Sequence, residues 1–313
     1  MGLRDDLRRR LAAAATAFSD PDLREEVQEE PAAAPLPPEP APGLRDVVVL
    51  VLDSCRFDSF VQAAPRRFSA LGEVQRRHSY ASWTAPSHYN LLSGLLPHRS
   101  PPGRHAAQVY REDFARWSER LGQDVAFEQL LPSLWLPHLL KWGLGYRTVG
   151  LVSLPVLNPQ TGIARDFDEF RLMDKHNDFG RMVESLRFRS DRPTFAMLNL
   201  GETHYPYAVD GQDAPDLPHL SGVHGVARRL DGEAPEEPLW FTEKQLRDLQ
   251  QRQVEAVQRV DEQFERLLDL APPGTWFVVT SDHGELFGEG GYFGHGPIQH
   301  DKVFEVPFVE GRR

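Results

Sequence analysis

The sequence has few cysteines and no long apolar run, so it lacks the marks of a disulfide-bonded or membrane-spanning protein. The chain of 313 residues contains a single cysteine, Cys55, so no disulfide can form within it. This composition is compatible with a reducing compartment, and we expect a cytoplasmic protein. No run of about 18 apolar residues is present, so we expect no transmembrane helix. The charged start of the chain also lacks the apolar stretch of a secretory signal.

Positive charge is scarce as well. Lysine and arginine number 35 against 46 aspartate and glutamate residues, which gives a net charge of −11. A nucleic-acid-binding surface needs an excess of basic residues, so we expect no nucleic-acid partner. A small anionic ester remains compatible as substrate if a metal ion and local cations neutralise it. Hydrophobic residues make up 40% of the chain, which is enough for one sizeable core.

The first 44 residues differ in composition from the rest of the chain. Apolar residues recur at helical spacing over residues 3–18, which predicts an amphipathic helix within residues 1–24. This helix could dock on the body of the protein, on a partner or on a membrane surface. Residues 25–44 are acidic and then rich in proline and alanine, which is typical of an extended linker. We therefore place the folded domain at residues 45–313.

Apolar strands and amphipathic helices alternate through this domain. Residues 47–52 form a continuous apolar run, which predicts a central parallel strand that is buried on both faces. Similar patterns predict strands at 146–151, 193–200 and 276–280, and helices at 87–95, 127–142 and 242–270. This alternation favours a three-layer α/β/α fold with a mainly parallel central sheet. Residues 101–124 and 209–239 are interpreted as insertions that could shape a substrate pocket.

An acid and an imidazole follow the last of these strands. The segment Ser-Asp-His-Gly-Glu occupies residues 281–285, and Gly-His-Gly follows at residues 294–296. Ligands bind at the carboxyl ends of strands in open α/β sheets. A carboxylate and an imidazole, here Asp282 and His283, suit zinc or manganese. A polar turn at a strand end is the alternative for this pair taken alone.

Five segments, in this order, resemble motifs of the alkaline phosphatase and sulfatase superfamily. They are the strand 47–52 with Asp53, the Thr-Ala-Pro-Ser-His segment at 84–88 with its helix, residues 145–148 with 167–170, residues 260–263, and residues 281–285 with His295. The resemblance implies the fold of that superfamily over about residues 46–309. It also implies one divalent metal, with zinc or manganese favoured and calcium or magnesium as alternatives. Related sulfatases continue well beyond residues 306–308, so we expect most of their C-terminal subdomain to be missing.

The resemblance implies roles for individual residues. Asp53, Asp282 and His283 would be three metal ligands, with the Thr84 oxygen as the fourth. In this superfamily the metal lowers the pKa of a bound hydroxyl and holds the ester oxygens, so Thr84 would be the nucleophile. Most related sulfatases have a cysteine at this position, which is oxidised to formylglycine, and an arginine where this chain has His88.

These two departures argue against a formylglycine sulfatase. The Thr-x-Pro-x-His pattern resembles nucleotide pyrophosphatases/phosphodiesterases, and the single-metal ligand set resembles lipoteichoic-acid synthases and phosphoethanolamine transferases. We therefore expect a metal-dependent hydrolase or transferase that acts on a phosphomonoester or phosphodiester through a covalent Thr84 intermediate. A sulfatase-type or phosphonate-type hydrolase on the same site is the first alternative. A non-catalytic metal-binding scaffold is the second.

Two further histidines are candidate catalytic residues. His204 and His295 are interpreted as substrate-contacting or acid/base groups, with a turn cap as the alternative for His204. The phosphodiesterases hold a second zinc with an aspartate four residues before a histidine. This chain has Leu200 there, so we expect one tightly bound metal.

Ser87, His88 and Arg56 are the candidate substrate-binding residues. Ser87 and the amides after Thr84 lie near a predicted helix start, where free N–H groups favour anions. Arg56 could contact the substrate anion, and a surface ion pair with Asp58 is its alternative.

Overall fold

A seven-stranded sheet organises residues Pro37–Arg313, which form one compact unit. In this computed structural model the described residues are 36–99, 106–131, 133–207 and 241–313. The strands of the sheet are β1 (Val47–Leu52), β2 (Gln75–His78), β3 (Arg147–Val152), β4 (Glu169–Leu172), β5 (Thr194–Leu200), β6 (Trp276–Thr280) and β9 (Glu305–Arg312). A separate hairpin consists of β7 (Leu286–Phe287) and β8 (Phe293–Gly294).

Parallel pairing dominates the sheet. The strand order is β2–β9–β6–β1–β5–β3–β4, and every neighbouring pair from β6 to β4 is parallel. β9 runs antiparallel to β6, and β2 runs antiparallel to β9. The predicted mainly parallel sheet is confirmed, and the carboxyl ends of β1, β5 and β6 meet at one edge.

Helices cover both faces of the sheet. They are α1 (Phe57–Ala63), α2 (Arg66–Leu71), α3 (Thr84–Leu92), α4 (Ala106–Ala115), α5 (Trp117–Leu121), α6 (Phe127–Leu130), α7 (Leu136–His138), α8 (Phe179–Ser185), α9 (Glu243–Leu270) and α10 (Asp301–Phe304). A π-helical turn (Leu139–Gly143) follows α7, and 3₁₀ turns cover Pro155–Leu157, Gly162–Ala164 and Glu289–Gly291.

The side chains of β1 alternate between two hydrophobic cores. The even-numbered residues from Val48 to Leu52 pack with α1, α2, α8 and α9. The odd-numbered residues from Val47 to Val51 pack with α3 and with the helices α4 to α7. Because both faces of the strand are buried, every position is apolar. This arrangement confirms the three-layer α/β/α fold.

The long helix α9 follows its sequence pattern closely. The Thr242 side chain accepts a hydrogen bond from the Gln245 N–H, and the Gln245 side chain accepts one from the Thr242 N–H. This reciprocal cap fixes the start of the helix. Val254, Val257 and Val260 lie on its buried face against the first core.

Some elements differ from their sequence patterns. Residues 127–142, expected as one or two helices, form α6, α7 and the π-helical turn, because Leu134 has a left-handed φ of 48° between the two helices. The helix expected at 87–95 begins three residues earlier, at Thr84. α4 and α5 lie within residues 101–124, which the sequence analysis interpreted as an insertion.

Several expectations fall on other parts of the chain. The predicted helix within residues 1–24, most of the predicted linker and the second insertion, 209–239, lie outside the described residues. Residues 37–44 of the linker segment pack on the domain, where a Cβ at Gly145 would collide with the Pro38 carbonyl oxygen. Among the described helices, none is long and apolar enough to cross a membrane.

Candidate active site

Asp53, Asp282 and His283 meet at the carboxyl edge of the sheet. Asp53 directly follows β1, and Asp282 and His283 follow the neighbouring strand β6. All three side chains are buried, and one ligand atom from each lies within 4.8 Å of the others. Thr84, the first residue of α3, places its Oγ1 3.3 Å from His283 Nε2. The structure thus brings together the four residues predicted to bind a metal.

Hydrogen bonds brace the turns that carry these residues. The Ser54 N–H donates to Asp282 Oδ1 over 3.1 Å, which ties the turn after β1 to the turn after β6. Asn199, in β5, donates its side-chain amide to Asp53 Oδ2 over 2.8 Å. The two carboxylates are therefore held from three neighbouring strands.

Gly284 sets the path of the chain after His283. Its N–H donates to the Val303 carbonyl oxygen over 2.6 Å, and a Cβ at this position would collide with the Lys302 carbonyl oxygen. Only glycine lets the backbone pass this close to α10. This close approach explains the glycine that follows the Asp-His pair.

One carboxylate oxygen of Asp282 has no hydrogen-bond partner among the described residues. This buried Oδ2 atom lies 3.3 Å from His283 Nε2 and 3.7 Å from His88 Nδ1. His283 Nδ1 lies 2.9 Å from the Gly284 carbonyl oxygen, which only accepts, so the proton of the neutral imidazole sits on Nδ1. His283 Nε2 therefore presents a lone pair to the same space. Two electron-rich atoms that face each other in a buried site suit a cation.

Burial and mutual repulsion act on both carboxylates. Burial raises the pKa of Asp282 well above its usual range, and the charge of Asp53 raises it further. Burial also opposes ionisation of Asp53, but the neighbouring His204 and the hydrogen bond from Asn199 are among the causes that lower the pKa of this carboxyl below its usual range. Burial and the neighbouring His295 lower the pKa of His283 well below its usual value. A neutral imidazole and two buried carboxylates form a donor set that fits a divalent metal.

The N-terminus of α3 is open to an anion. Trp83 occupies the N-cap position, and its side chain caps none of the first amides of the helix. Free N–H groups and the helix dipole favour a negatively charged oxygen at this point. The Thr84 side chain therefore lies beside the candidate metal ligands and at the start of this helix.

His204 and His295 lie beside these residues. The ring of His295 is centred 4.3 Å from that of His283 and 5.5 Å from that of His204. The His204 carbonyl oxygen also accepts a hydrogen bond from the Tyr207 N–H over 2.8 Å. His204 thus belongs to a turn and reaches the site, so its two interpretations are compatible.

Ser87 and His88 lie in α3, three and four residues after Thr84. Ser87 Oγ donates to the Ala81 carbonyl oxygen over 3.3 Å. His88 is fully buried, and its Nδ1 lies 2.8 Å from the Thr84 carbonyl oxygen. The structure places His88 behind the nucleophile candidate, where it approaches Asp282, and substrate contact by either residue stays a prediction.

Arg56 forms the ion pair that was the alternative to substrate contact. Its guanidinium contacts the carboxylates of Asp58 and Glu289, each at 2.6 Å. Lys302 contacts the same Asp58 carboxylate at 2.7 Å. The alternative placed this pair at the surface, but Arg56 is only 2% exposed, so the pair is buried on the arginine side.

The residues near His204 do not converge on a further cation site. Leu200 is part of the first core. The Glu202 carboxylate accepts a hydrogen bond from the Phe179 N–H over 2.7 Å through Oε1, at the start of α8. Within the described ranges, one group of at least three His, Cys, Asp or Glu side chains is close enough to share a metal, and it consists of Asp53, Asp282 and His283.

Two buried amides hold the site together, and the sequence analysis missed both. Asn199 orients Asp53, as described above. Gln253, in α9, donates to the carbonyl oxygens of Ser54 and Thr203 over 3.0 and 3.1 Å. Asn199 is a polar residue inside an apolar buried strand, and that contrast is the sequence signal that could have revealed it. Gln253 follows other polar residues of α9, so no such contrast marks it.

Known proteins resemble this chain over most of its length. A model of the sulfatase family matches residues 45–309. The chain is also 23% identical over 280 residues to the low-salt glycan biosynthesis sulfotransferase Agl7 of Haloferax volcanii. That similarity covers 85% of this chain and 54% of the relative, so the chain spans about half the length of the curated protein it matches.

Two solved structures share the fold. The C-terminal periplasmic domain of the phosphoethanolamine transferase EptC from Campylobacter jejuni gives a TM-score of 0.52 at 13% identity, covering 85% of this chain and 79% of that one. The 2-O GAG sulfatase BT1596 gives a TM-score of 0.54 at 14% identity, covering 86% of this chain and 64% of that one. The fold is thus that of the alkaline phosphatase superfamily. Because the family match spans most of its length, the chain belongs to the sulfatase family.

Proposed function

We propose that this protein is a metal-dependent enzyme that hydrolyses or transfers the phosphoryl group of a phosphate ester through a covalent intermediate on Thr84. The observation that carries the proposal is the position of the Thr84 hydroxyl. It lies 3.3 Å from His283 Nε2, next to two buried carboxylates and at the open N-terminus of α3. A nucleophile for an anionic ester needs both a nearby cation and an electropositive cradle for the ester oxygens.

Asp53, Asp282, His283 and Thr84 would hold one divalent cation. Their oxygen and nitrogen atoms favour zinc or manganese, with calcium or magnesium as alternatives. When bound, the cation would lower the pKa of the Thr84 hydroxyl and neutralise charge on the ester oxygens. The unpartnered Oδ2 of Asp282 supports this assignment, because a buried carboxylate oxygen without a partner otherwise destabilises the fold.

The protein's own groups account for the other steps. Thr84 Oγ1 loses its proton to solvent and forms a bond to phosphorus as the bond to the leaving oxygen breaks. The amides at the start of α3 orient the remaining ester oxygens. His204 or His295 gives a proton to the leaving oxygen. Water or an acceptor alcohol then loses a proton to the same histidine and attacks phosphorus, which releases Thr84. The identity of this acceptor separates a hydrolase from a transferase.

Sulfate-ester cleavage or transfer on the same site is the second candidate. It is favoured by the sulfatase family match and by the similarity to a protein named as a sulfotransferase. A sulfuryl group presents the same tetrahedral arrangement of oxygens, so the same nucleophile and cation site would serve it. A threonine where most related sulfatases have a cysteine makes phosphoryl transfer the first choice.

Turnover of matched aryl esters tests the proposal. The protein is stripped with a chelator and reloaded with zinc, manganese, magnesium or calcium. Each form is assayed with a nitrophenyl phosphate monoester, a diester, a phosphonate and a sulfate. We expect metal to restore turnover, with a phosphate ester as the best substrate. A faster sulfate or phosphonate reaction would select that alternative, and metal binding without turnover of any ester would favour a scaffold.

Mass spectrometry of the quenched reaction tests the intermediate. We expect a phosphoryl group on the peptide that contains Thr84, and none in the Thr84→Ala variant. A modified group elsewhere in the active protein would assign the nucleophile to another residue.

A further inference from the structure

The β7–β8 hairpin places a carboxylate opposite one of the two candidate acid/base histidines. Leu286 pairs with Gly294 and Phe287 pairs with Phe293 in this antiparallel hairpin. The next positions outward are Glu285 and His295, which therefore face each other across the open end of the hairpin. Their side chains meet: Glu285 Oε1 lies 3.2 Å from His295 Nδ1.

The second oxygen of the same carboxylate is also engaged. The Tyr207 hydroxyl donates a hydrogen bond to Glu285 Oε2. Glu285 and Tyr207 are 1% and 3% exposed, so this chain of contacts is shielded from water. Each carboxylate oxygen thus has its own hydrogen-bond partner, and these two contacts fix the orientation of the carboxylate toward His295.

The carboxylate of Glu285 contacts no lysine or arginine side chain among the described residues. Arg56 donates a hydrogen bond to the backbone carbonyl oxygen of Glu285, over 3.4 Å, and not to its carboxylate. The Arg56 guanidinium is held instead by Asp58 and Glu289. A buried carboxylate needs donors, and here they are an imidazole N–H and a phenol O–H.

We propose that Glu285 is a positioning residue that, together with Tyr207, aims His295 at the ester. Glu285 holds the His295 proton on Nδ1 by accepting a hydrogen bond from it, which leaves Nε2 as the atom directed to the substrate. This is the arrangement by which a carboxylate fixes the tautomer and ring orientation of a catalytic histidine. The inference rests on the proposed function for the role of His295 in the reaction.

The proton balance of this arrangement is simple. His295 Nε2–H gives its proton to the leaving oxygen as the phosphorus–oxygen bond breaks. The Nδ1 proton stays on the ring, hydrogen-bonded to Glu285. The acceptor water or alcohol returns a proton to Nε2 in the second half of the reaction. Glu285 and Tyr207 exchange no proton with the substrate. The arrangement assigns the leaving group to the side of His295.

Two aryl phosphate esters that differ in leaving group test the inference. A phenyl ester needs protonation of its leaving oxygen, whereas a dinitrophenyl ester does not. Glu285→Gln should lower kcat for the phenyl ester on the order of 10²-fold and should change kcat for the dinitrophenyl ester by about threefold or less. Tyr207→Phe should show the same pattern with a smaller loss. Metal content measured by elemental analysis should match that of the wild type.

Glu289→Gln is the matched control. It removes the same charge from the same hairpin region, but its partner is Arg56 and not His295. Its ratio of phenyl to dinitrophenyl turnover should stay at the wild-type value. Equal losses for both esters in Glu285→Gln, or no loss, would overturn the positioning role.

The protonation of the His295 ring gives a readout that does not depend on turnover. Nitrogen-15 NMR of the labelled protein should show Nδ1 of His295 protonated both before and after the ring has given up the Nε2 proton, and Glu285→Gln should remove this preference. A wild-type ring with its proton on Nε2 alone would contradict the inference. An inactive wild type that shows the expected Nδ1 signal would overturn the proposed function while leaving the positioning of His295 intact.

Discussion

Glu310 and Asp282 are both buried carboxylates, but their surroundings have opposite charge. Glu310, in β9, contacts Arg116 at 2.6 Å, Arg120 at 2.7 Å and Arg77 at 3.9 Å. We refer to these four residues as the Glu310 cluster. Asp282 has Asp53 as its neighbour and an imidazole lone pair beside its Oδ2.

The pKa values reflect this difference. Burial opposes ionisation of Glu310, but Arg120 and the other arginines lower the pKa of this carboxyl below its usual range. Burial lowers the pKa of Arg77 to about 9, and Glu310 acts in the opposite direction. At Asp282, burial and the neighbouring carboxylate both raise the pKa.

The comparison separates a structural use of buried charge from a functional one. The Glu310 cluster contains its own counter-charges and joins β2, β9 and α5. Among the described residues, Asp282 of the candidate active site contacts no lysine or arginine, and a second carboxylate lies beside it. A buried site that the chain leaves unbalanced is the kind of site that a ligand completes.

Loss of the proposed nucleophile should produce the largest change in turnover and should leave stability intact. Thr84→Ala is expected to lower kcat on the order of 10⁴-fold or more, because the covalent step cannot occur. The free energy of unfolding should stay near the wild-type value, since Thr84 begins a helix at the edge of the core. Thr84→Ser serves as the control and should retain part of the turnover. Wild-type activity in Thr84→Ala would show that water attacks the ester directly.

The Glu310 cluster should behave in the opposite way. Glu310→Gln leaves Arg77 and Arg120 buried without a counter-charge, so the free energy of unfolding should fall by about 3–5 kcal/mol. The metal content of the folded protein should be unchanged. Chemical denaturation provides the measurement, and Glu265→Gln is the control. Glu265 pairs with Arg67 at the surface, where solvent screening should leave the free energy of unfolding nearly unchanged. A loss of metal in Glu310→Gln would remove the distinction between the two regions.

The pH dependence of stability should have opposite sign for Asp58, a carboxylate paired with cations, and for Asp282, a carboxylate beside a second carboxylate. Burial opposes ionisation of Asp58, but Arg56 and Lys302 lower the pKa of this carboxyl to about 2. Its contribution is present above the unfolded-state pKa of about 3.9 and is lost as the pH falls toward 2. The pKa of Asp282 is raised in the metal-free fold. Its contribution to the free energy of unfolding is therefore fully present below about pH 3.9 and is lost as the pH rises through the folded-state pKa.

Denaturation of two variants in chelator, from about pH 3 to pH 8, tests these signs. The stability advantage of the wild type over Asp58→Asn should shrink at the acidic end. The difference between Asp282→Asn and the wild type should grow in favour of the variant toward the alkaline end. The same sign for both variants would contradict the assignment of Asp282 as unbalanced.

The central strands and their terminal acids could be predicted from the sequence because burial on both faces leaves a continuous apolar run. The strand 47–52 and the strand 276–280 have the predicted bounds. Asp53 directly follows the first strand, and Asp282 lies two residues after the second. A polar residue just after such a run lies at the carboxyl edge of the sheet, because that is where the strand ends.

Contacts between distant segments could not be predicted in this way. Gln253 bonds to Ser54 from 199 residues away, and no local pattern encodes that pairing. The Glu285–His295 pair depends on a hairpin whose strands have two residues each, which is too short for any periodicity. The partners of Arg56 include Glu289, which lies in a turn between those strands.

The most direct test of the central claim is the stability of Asp282→Asn with and without zinc. Asparagine keeps an oxygen for the Ser54 amide and adds an N–H that can donate to His283 Nε2. In chelator we therefore expect the variant to exceed the wild type in free energy of unfolding by about 1–3 kcal/mol. Zinc at about 100 times its dissociation constant should stabilise the wild type by about 2.7 kcal/mol and should leave the variant unchanged. A variant that is less stable than the wild type in chelator and gains equally from zinc would contradict the claim that Asp282 belongs to an unbalanced metal site.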